Sequence, residues 1–214
     1  MILDHISYVT SHDQIADTVQ RLGARLGCAF VDGGIHPRFG TRNFTAPLQL
    51  GQYIEVVCAL DHPATEQTPW GQAVSRKASE GGGWFTWVFS TQDIAPIESK
   101  FGRKAVEGHR TRPDGSILRW KQIGVREIAD SREFPFFIEW LSSDHPSTDG
   151  IPTSRIVQID IADPSQLSES WFKDEIFSAL GETKLRWINP SENESQSGIL
   201  AVHLMTPNGI VVLD

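Results

Sequence analysis

The stretch MILDHISYVTSHDQIADTVQRLGARLG, residues 1–27, decides the fold. Ile2–Thr10 carries the Ile, Val and Tyr content of a strand. Ser11 is placed as an N-cap, and Ile15, Val19, Leu22 and Leu26 recur at helical spacing until Gly27 stops the helix. Three strand-like stretches follow, Cys28–Val31, Phe39–Leu48 and Gln52–Ala59, so residues 1–60 read as a βαβββ module. Residues 61–83 form a polar connector with a helix-compatible WGQAVSRKASE, closed by Gly81-Gly82-Gly83 as a flexible joint.

The order then repeats. Trp84–Ser90 reads as a strand, Ile94–Phe101 as a helix ended by Gly102, and Ala105–Thr111, Ser116–Ile123 and Phe134–Trp140 as strands. Pro113-Asp114-Gly115 is a hairpin turn between two of them. Ile15-Ala16 and Gly23 fall opposite Ile94-Ala95 and Gly102 at a constant offset of about 79 residues, as internal repeats require. That offset sets His5 opposite Trp84. Tyr53-Ile54-Glu55 matches Phe137-Ile138-Glu139 at a slightly larger one. Residues 84–146 are the second module. A Ser/Asp/Gly/Pro-rich linker, Ser142–Pro152, leads to a third, βαβββ-like unit over 153–214: strand Arg155–Ala162, helix Gln166–Leu180, and strands Lys184–Ile188, Ile199–Met205 and Ile210–Leu213 around a polar loop, Asn189–Gly198. The expected fold is α+β, with tandem modules curling a mixed sheet around a cup.

Composition narrows the function. The 214 residues are 39% hydrophobic and 21% charged, enough apolar mass for a buried core. A net charge of −8 argues against a nucleic-acid partner. No apolar run is long enough to span a bilayer, and the N-terminus reads as a strand rather than a signal peptide. Cys28 and Cys58 fit neither a metal spacing nor a disulfide framework. A soluble, cytoplasmic, reduced setting is expected.

Glu55 and Glu139 are carboxylates inside apolar strands, costly to bury unless paired, metal-bound or protonated. Imidazole plus carboxylates suits first-row divalent ions, which groups His5 with both. The loop Gly33-Gly34-Ile35-His36-Pro37-Arg38-Phe39-Gly40-Thr41-Arg42-Asn43 reads as irregular backbone placing His36 and Asn43 at a pocket mouth, one as general base and the other as an orienting hydrogen-bonder. Arg110, Arg112 and Arg119 cluster at the second hairpin, where an anionic substrate could meet them.

LDHISYVT, GGIHPRFGTRN, YIEVV, RPDGSILRW, and PFFIEW with HP shortly after carry a resemblance to the glyoxalase-like domain proteins of the vicinal oxygen chelate superfamily. TPNGIVVL looks like the same group's extra module. The resemblance implies metal ligands on the first and last strands of each module. His5, Glu55 and Glu139 match three of those places, and Trp84 departs at the fourth. It implies a small-molecule enzyme of glyoxalase or dioxygenase type, a lyase or isomerase on a vicinal-oxygen substrate. One divalent ion, or none, would polarise a carbonyl while Glu55, Glu139 or His36 moves a proton. Asn43, Trp84, Trp120 and Arg119 would contact substrate. The alternative is a metal-free binding protein whose cup is walled by Trp84, Trp87, Trp120 and Trp140. The partner is a small molecule in either case, and a homodimer stays open.

Overall fold

The computed structural model describes residues 1–129, 131–162, 173–189, 191 and 197–214. The first half runs β1 (Ile2–Val9), α1 (Ile15–Leu26), β2 (Val31–His36), β3 (Thr41–Pro47) and β4 (Tyr53–Ala59). Helices α2 (Pro63–Gln67) and α3 (Pro69–Ser79) precede the second half: β5 (Gly83–Ser90), α4 (Ala95–Phe101), β6 (Val106–Thr111), β7 (Ile117–Ile123) and β8 (Phe136–Trp140). In each half the first strand lies parallel to the last, giving β1-β4-β3-β2 and β5-β8-β7-β6. Antiparallel pairing of β1 with β5 and of β2 with β6 closes the eight strands into a barrel.

Local chemistry explains most boundaries. Gly27 ends α1 in the left-handed region at φ 69°, which a residue without Cβ adopts at little cost. Ser11 does not cap α1: the helix begins after Gln14, and no side chain caps it. The expected irregular loop at Gly33-Gly34 is instead strand β2, with a bulge between Asp32 and Gly34. Gly34 has φ 92°, and a Cβ there would lie 1.9 Å from the Thr111 carbonyl oxygen on β6. Only glycine lets the two halves approach this closely at the closing seam.

The connector is more than a joint. The His62 and Thr68 side chains cap α2 and α3, each with Pro at the helix start. Trp70 of α3 reaches Phe136 at 5.5 Å and Phe85 at 5.8 Å between ring centroids, joining the apolar cluster inside the barrel. A larger cluster covers the outer strand faces, with Leu3, Ile6, Ile54, Trp87 and Phe137 from the barrel. Leu22 and Leu26 of α1 pack into it.

The C-terminal part also packs there through Ile159, Val202 and Leu213. It comprises β9 (Arg155–Ala162), α5 (Lys173–Ala179), β10 (Lys184–Ile188), β11 (Gly198–Thr206) and β12 (Gly209–Leu213). Its element order repeats the halves but its pairing does not: the sheet runs β10-β9-β11-β12, with the first strand in the interior. The rest of the helix expected from Gln166, and much of the loop expected after Asn189, lie outside the described residues. Among the described residues no helix is long and apolar enough to cross a membrane.

The seam makes a sharp expectation. Gly27 has open space where a Cβ would go, so Gly27→Ala should cost about 1–2 kcal/mol of stability, the left-handed penalty alone. Gly34→Ala adds a backbone collision and should cost roughly 3 kcal/mol or more. Urea unfolding of the two variants should separate them; equal losses would mean that close approach at the seam does not limit closure.

Candidate functional site

The cup is built by strand alternation, and two bulges shift its phase. In β1, Leu3 pairs with Phe89 and His5 with Val88, so Asp4 is an extra residue. Asp4 and His5 therefore reach the same side, where Trp140 and His145 meet them. In β5, Ser7 pairs with Thr86 and Tyr8 with Trp84, which makes Phe85 the extra residue. Phe85 takes the interior place and Trp84 turns outward. Its indole packs edge-on against Tyr8 and donates to the Leu213 carbonyl at 2.8 Å. The placement of Trp84 in the cup is thus overturned by one inserted residue.

Glu139 is also corrected. In β4, Tyr53 and Glu55 face the cup; in β8, Phe136, Ile138 and Trp140 do. The match to Glu55 is Ile138, one residue before Glu139. Glu139 accepts from the Ile94 backbone N–H at 2.9 Å ahead of α4 and from Lys121 Nζ at 3.2 Å. Arg119 shares that parity on β7 and is exposed, whereas Trp120 and Gln122 point inward. Trp87 lies on the outer face and donates to the Glu133 carbonyl. His5, His36, Asn43, Glu55, Trp120 and Trp140 do line the cup together.

The interior is a connected set of charges. Asp4 accepts from His5 Nδ1 at 2.7 Å and from Trp140 Nε1 at 3.0 Å, with His145 Nε2 at 3.2 Å. Burial pushes the Asp4 carboxyl upward, but bonding and charge from His145 and His5 outweigh it and hold it well below the usual range. An ionised Asp4 fixes the proton of His5 on Nδ1 and leaves Nε2 to the cup, 3.9 Å from Glu55 Oε2. The His5 ring stacks on Tyr53 at 4.3 Å.

Glu55 accepts from Ser7 Oγ at 2.6 Å and from Asn43 Nδ2 at 2.7 Å. Its burial is again outweighed, by His5, His36 and these two donors, so its pKa is lowered. Arg110, almost fully buried, donates to Asn43 Oδ1 at 3.0 Å and to Asp149 at 3.4 Å. Its Nε is buried without a partner among the described residues. Burial lowers the His36 pKa to about 4, so the ring is neutral near pH 7; it bonds Thr41 and meets Trp120 edge-on. Asp4, Tyr53, Gln122, His145 and Asp149 were not singled out for the site from the sequence, whereas Arg110 was, with Arg112 and Arg119, as a possible contact for an anionic substrate. The one local signal was Asp4, an acid beside His5 in an apolar strand.

The metal set does not assemble. Glu139 is on the outer face, both Glu55 oxygens hold hydrogen bonds, and Asp4 is engaged by two imidazoles. Among the described residues no group of three or more His, Cys, Asp or Glu could hold an ion. The implied divalent metal does not fit the residues present.

The chain is a barrel of two βαβββ halves around a charged, aromatic-walled cup. The glyoxalase-like domain family matches residues 3–175, and the chain belongs to that family. A hypothetical protein from Staphylococcus aureus shares the fold at TM-score 0.58 and 17% identity, over 98% of this chain and 83% of that one. Methylmalonyl-CoA epimerase from Mycobacterium tuberculosis is more distant, at TM-score 0.43 and 16% identity over 64% of this chain and 85% of its own. A Streptomyces coelicolor methylmalonyl-CoA epimerase variant in complex with 2-nitronate-propionyl-CoA gives TM-score 0.44 and 19% identity, over 68% and 96%. Likeness at that level carries no functional argument. No curated protein matches the chain significantly.

His36 gives the site a pH signature. The unfolded chain takes up its proton near 6.5 and the folded chain only near 4, so between them the unfolded state holds more protons and stability falls as pH drops. From about pH 7.5 to about pH 5 the loss should be roughly 2 kcal/mol. Asp4 and Glu55, held low, lose their contributions only at more acid pH. His36→Asn should flatten the slope in urea melts across that window; an unchanged slope would remove His36 as its source.

Proposed function

We propose that the chain is a proton-transfer enzyme, an isomerase or lyase acting on a small molecule that carries a carbonyl beside a second oxygen. The observation behind this reading is the Asp4–His5 pair, bonded through Nδ1, with the His5 ring lining the cup. His5 Nε2 takes a proton from the carbon next to the carbonyl, and the adjacent Asp4 carboxylate stabilises the imidazolium that results. The unpartnered Nε–H of Arg110 is the donor for the enediolate oxygen. Glu55, ionised and 3.9 Å from His5, keeps the imidazolium favourable until the proton is returned. Neutral His36, Trp120 and Trp140 wall the substrate. A reduced cytoplasmic setting suits the two free thiols, of which Cys58 is pushed by burial to about 11.

The aromatic lining favours a second reading, capture of a small molecule without turnover. Hydrogen exchange separates the two. A panel of 2-oxo acids, 2-hydroxyketones and 1,2-dicarbonyl compounds is incubated with the protein in D2O and followed by NMR. At least one should gain deuterium next to its carbonyl, and His5→Gln should slow that by roughly 100-fold or more. Exchange by His5→Gln at the wild-type rate, or no exchange with any compound, would overturn the proposal.

A further inference from the structure

The cup itself is small: about 30 Å³ of space for water remains within it, enough for a water or two. A second hollow adjoins it. Phe39, Trp70 and Gln122 form a shared wall with this hollow of about 270 Å³. Pro69 and Arg126 are in turn common to that hollow and a third, of about 290 Å³. The space beside the cup is thus far larger than the cup.

The charge of these two hollows runs against that of the chain. Arg38, Arg103, Lys104 and Arg126 line the first, and Arg76, Lys77, Arg132 and again Arg126 the second. No Asp or Glu is among the described residues lining either. Seven of the chain's 19 Lys and Arg therefore converge on two adjoining hollows, a basic groove, in a protein of net charge −8. Carboxylates outside the hollows hold several of these cations in place. Glu127 binds Arg103 through two bonds at 2.7 and 2.8 Å, Glu98 binds Lys104, and Glu80 is shared by Arg76 and Arg132. Arg38 and Arg126 make no ion pair among the described residues, and the charge of Glu127 reaches Arg126 only at longer range. Pro69, Val106, Ile123 and Val125 supply apolar walls between the charges.

The geometry points to an anion subsite: the groove binds the phosphate groups of an organic phosphate whose carbonyl end enters the cup. This rests on the reading of the cup as the reaction site and names the substrate class for it. Guanidinium forks match phosphate oxygens two at a time, and seven cations against three outer carboxylates favour more than one phosphate charge.

Inorganic pyrophosphate is the probe, titrated by calorimetry into wild type, the double variant Arg38→Glu/Arg126→Glu, and His5→Gln. The two arginines are exposed, so the double variant should keep its melting temperature. Pyrophosphate should bind wild type and His5→Gln alike and the double variant at least about tenfold more weakly. Equal binding by the double variant, or none by wild type, would overturn the proposal. So would binding of an RNA oligomer or of phosphatidylglycerol vesicles without binding of pyrophosphate. Pyrophosphate carries no carbon, so its binding is read without turnover. Failure of exchange in D2O would remove the reaction assigned to the cup and leave the subsite standing.

Discussion

The barrel can close, and its buried charges can meet, because two consecutive residues of β2 have no side chains. A Cβ on Gly33 would lie 2.2 Å from Asn43 Oδ1 and 2.3 Å from Arg110 Nη1. That volume is where the guanidinium of the second half crosses to the amide of the first. Gly34 next door admits the Thr111 carbonyl. Seam and network are thus one constraint. A buried guanidinium is expensive unless its donors are met. Here Asn43 meets one and Asp149 another, and Asn43 in turn holds Glu55. The segment after β8 has to return to the barrel for this to work. It does so as a short 3-10 turn at Pro146–Thr148, which brings His145 to Asp4 and Asp149 to Arg110 and Arg112.

How far the sequence reveals this depends on the range of the forces involved. Strand and helix order follows from local periodicity, and most of it is readable, including the ends of α1 at Gly27 and α4 at Gly102. Gly33-Gly34 misleads because glycine usually marks a turn, whereas here it marks a strand pressed against another. The inward phase of Glu55 follows from alternation with Tyr53 and Val57. The phase of Glu139 does not, since Phe136, Phe137 and Ile138 are all apolar and β8 is buried on both faces there. Trp84 is hidden by a bulge, whose extra residue leaves no compositional trace in Gly83–Ser90. Arg110 and Arg119 look alike in the chain. Partners at Asn43 and Asp149, both distant in the chain, make one of them buriable.

Asp4 occupies an unusual position between two imidazoles, one from its own strand and one from the linker. Both compete for the same carboxylate, and Trp140 adds a third donor. With its oxygens engaged, Asp4 holds the His5 ring in place. The orientation of the ring is therefore set partly by the linker, not by β1 alone. Stacking on Tyr53 fixes the remaining rotation.

The linker contact also has a consequence for the order in which the chain matures. β1 is made long before its partners are complete, since its Asp4 waits for Trp140 and His145, 136 and 141 residues further along the chain. Its neighbours β4 and β5 arrive much earlier, so a half-made chain holds an ionisable residue inside an apolar strand with two of its three donors still unsynthesised. Trp84 likewise waits 129 residues, for the carbonyl of Leu213. Contacts of such sequence separation slow folding and leave edges exposed meanwhile. β1 therefore carries a buried carboxylate whose charge is fully met only after the segment following β8 has been made.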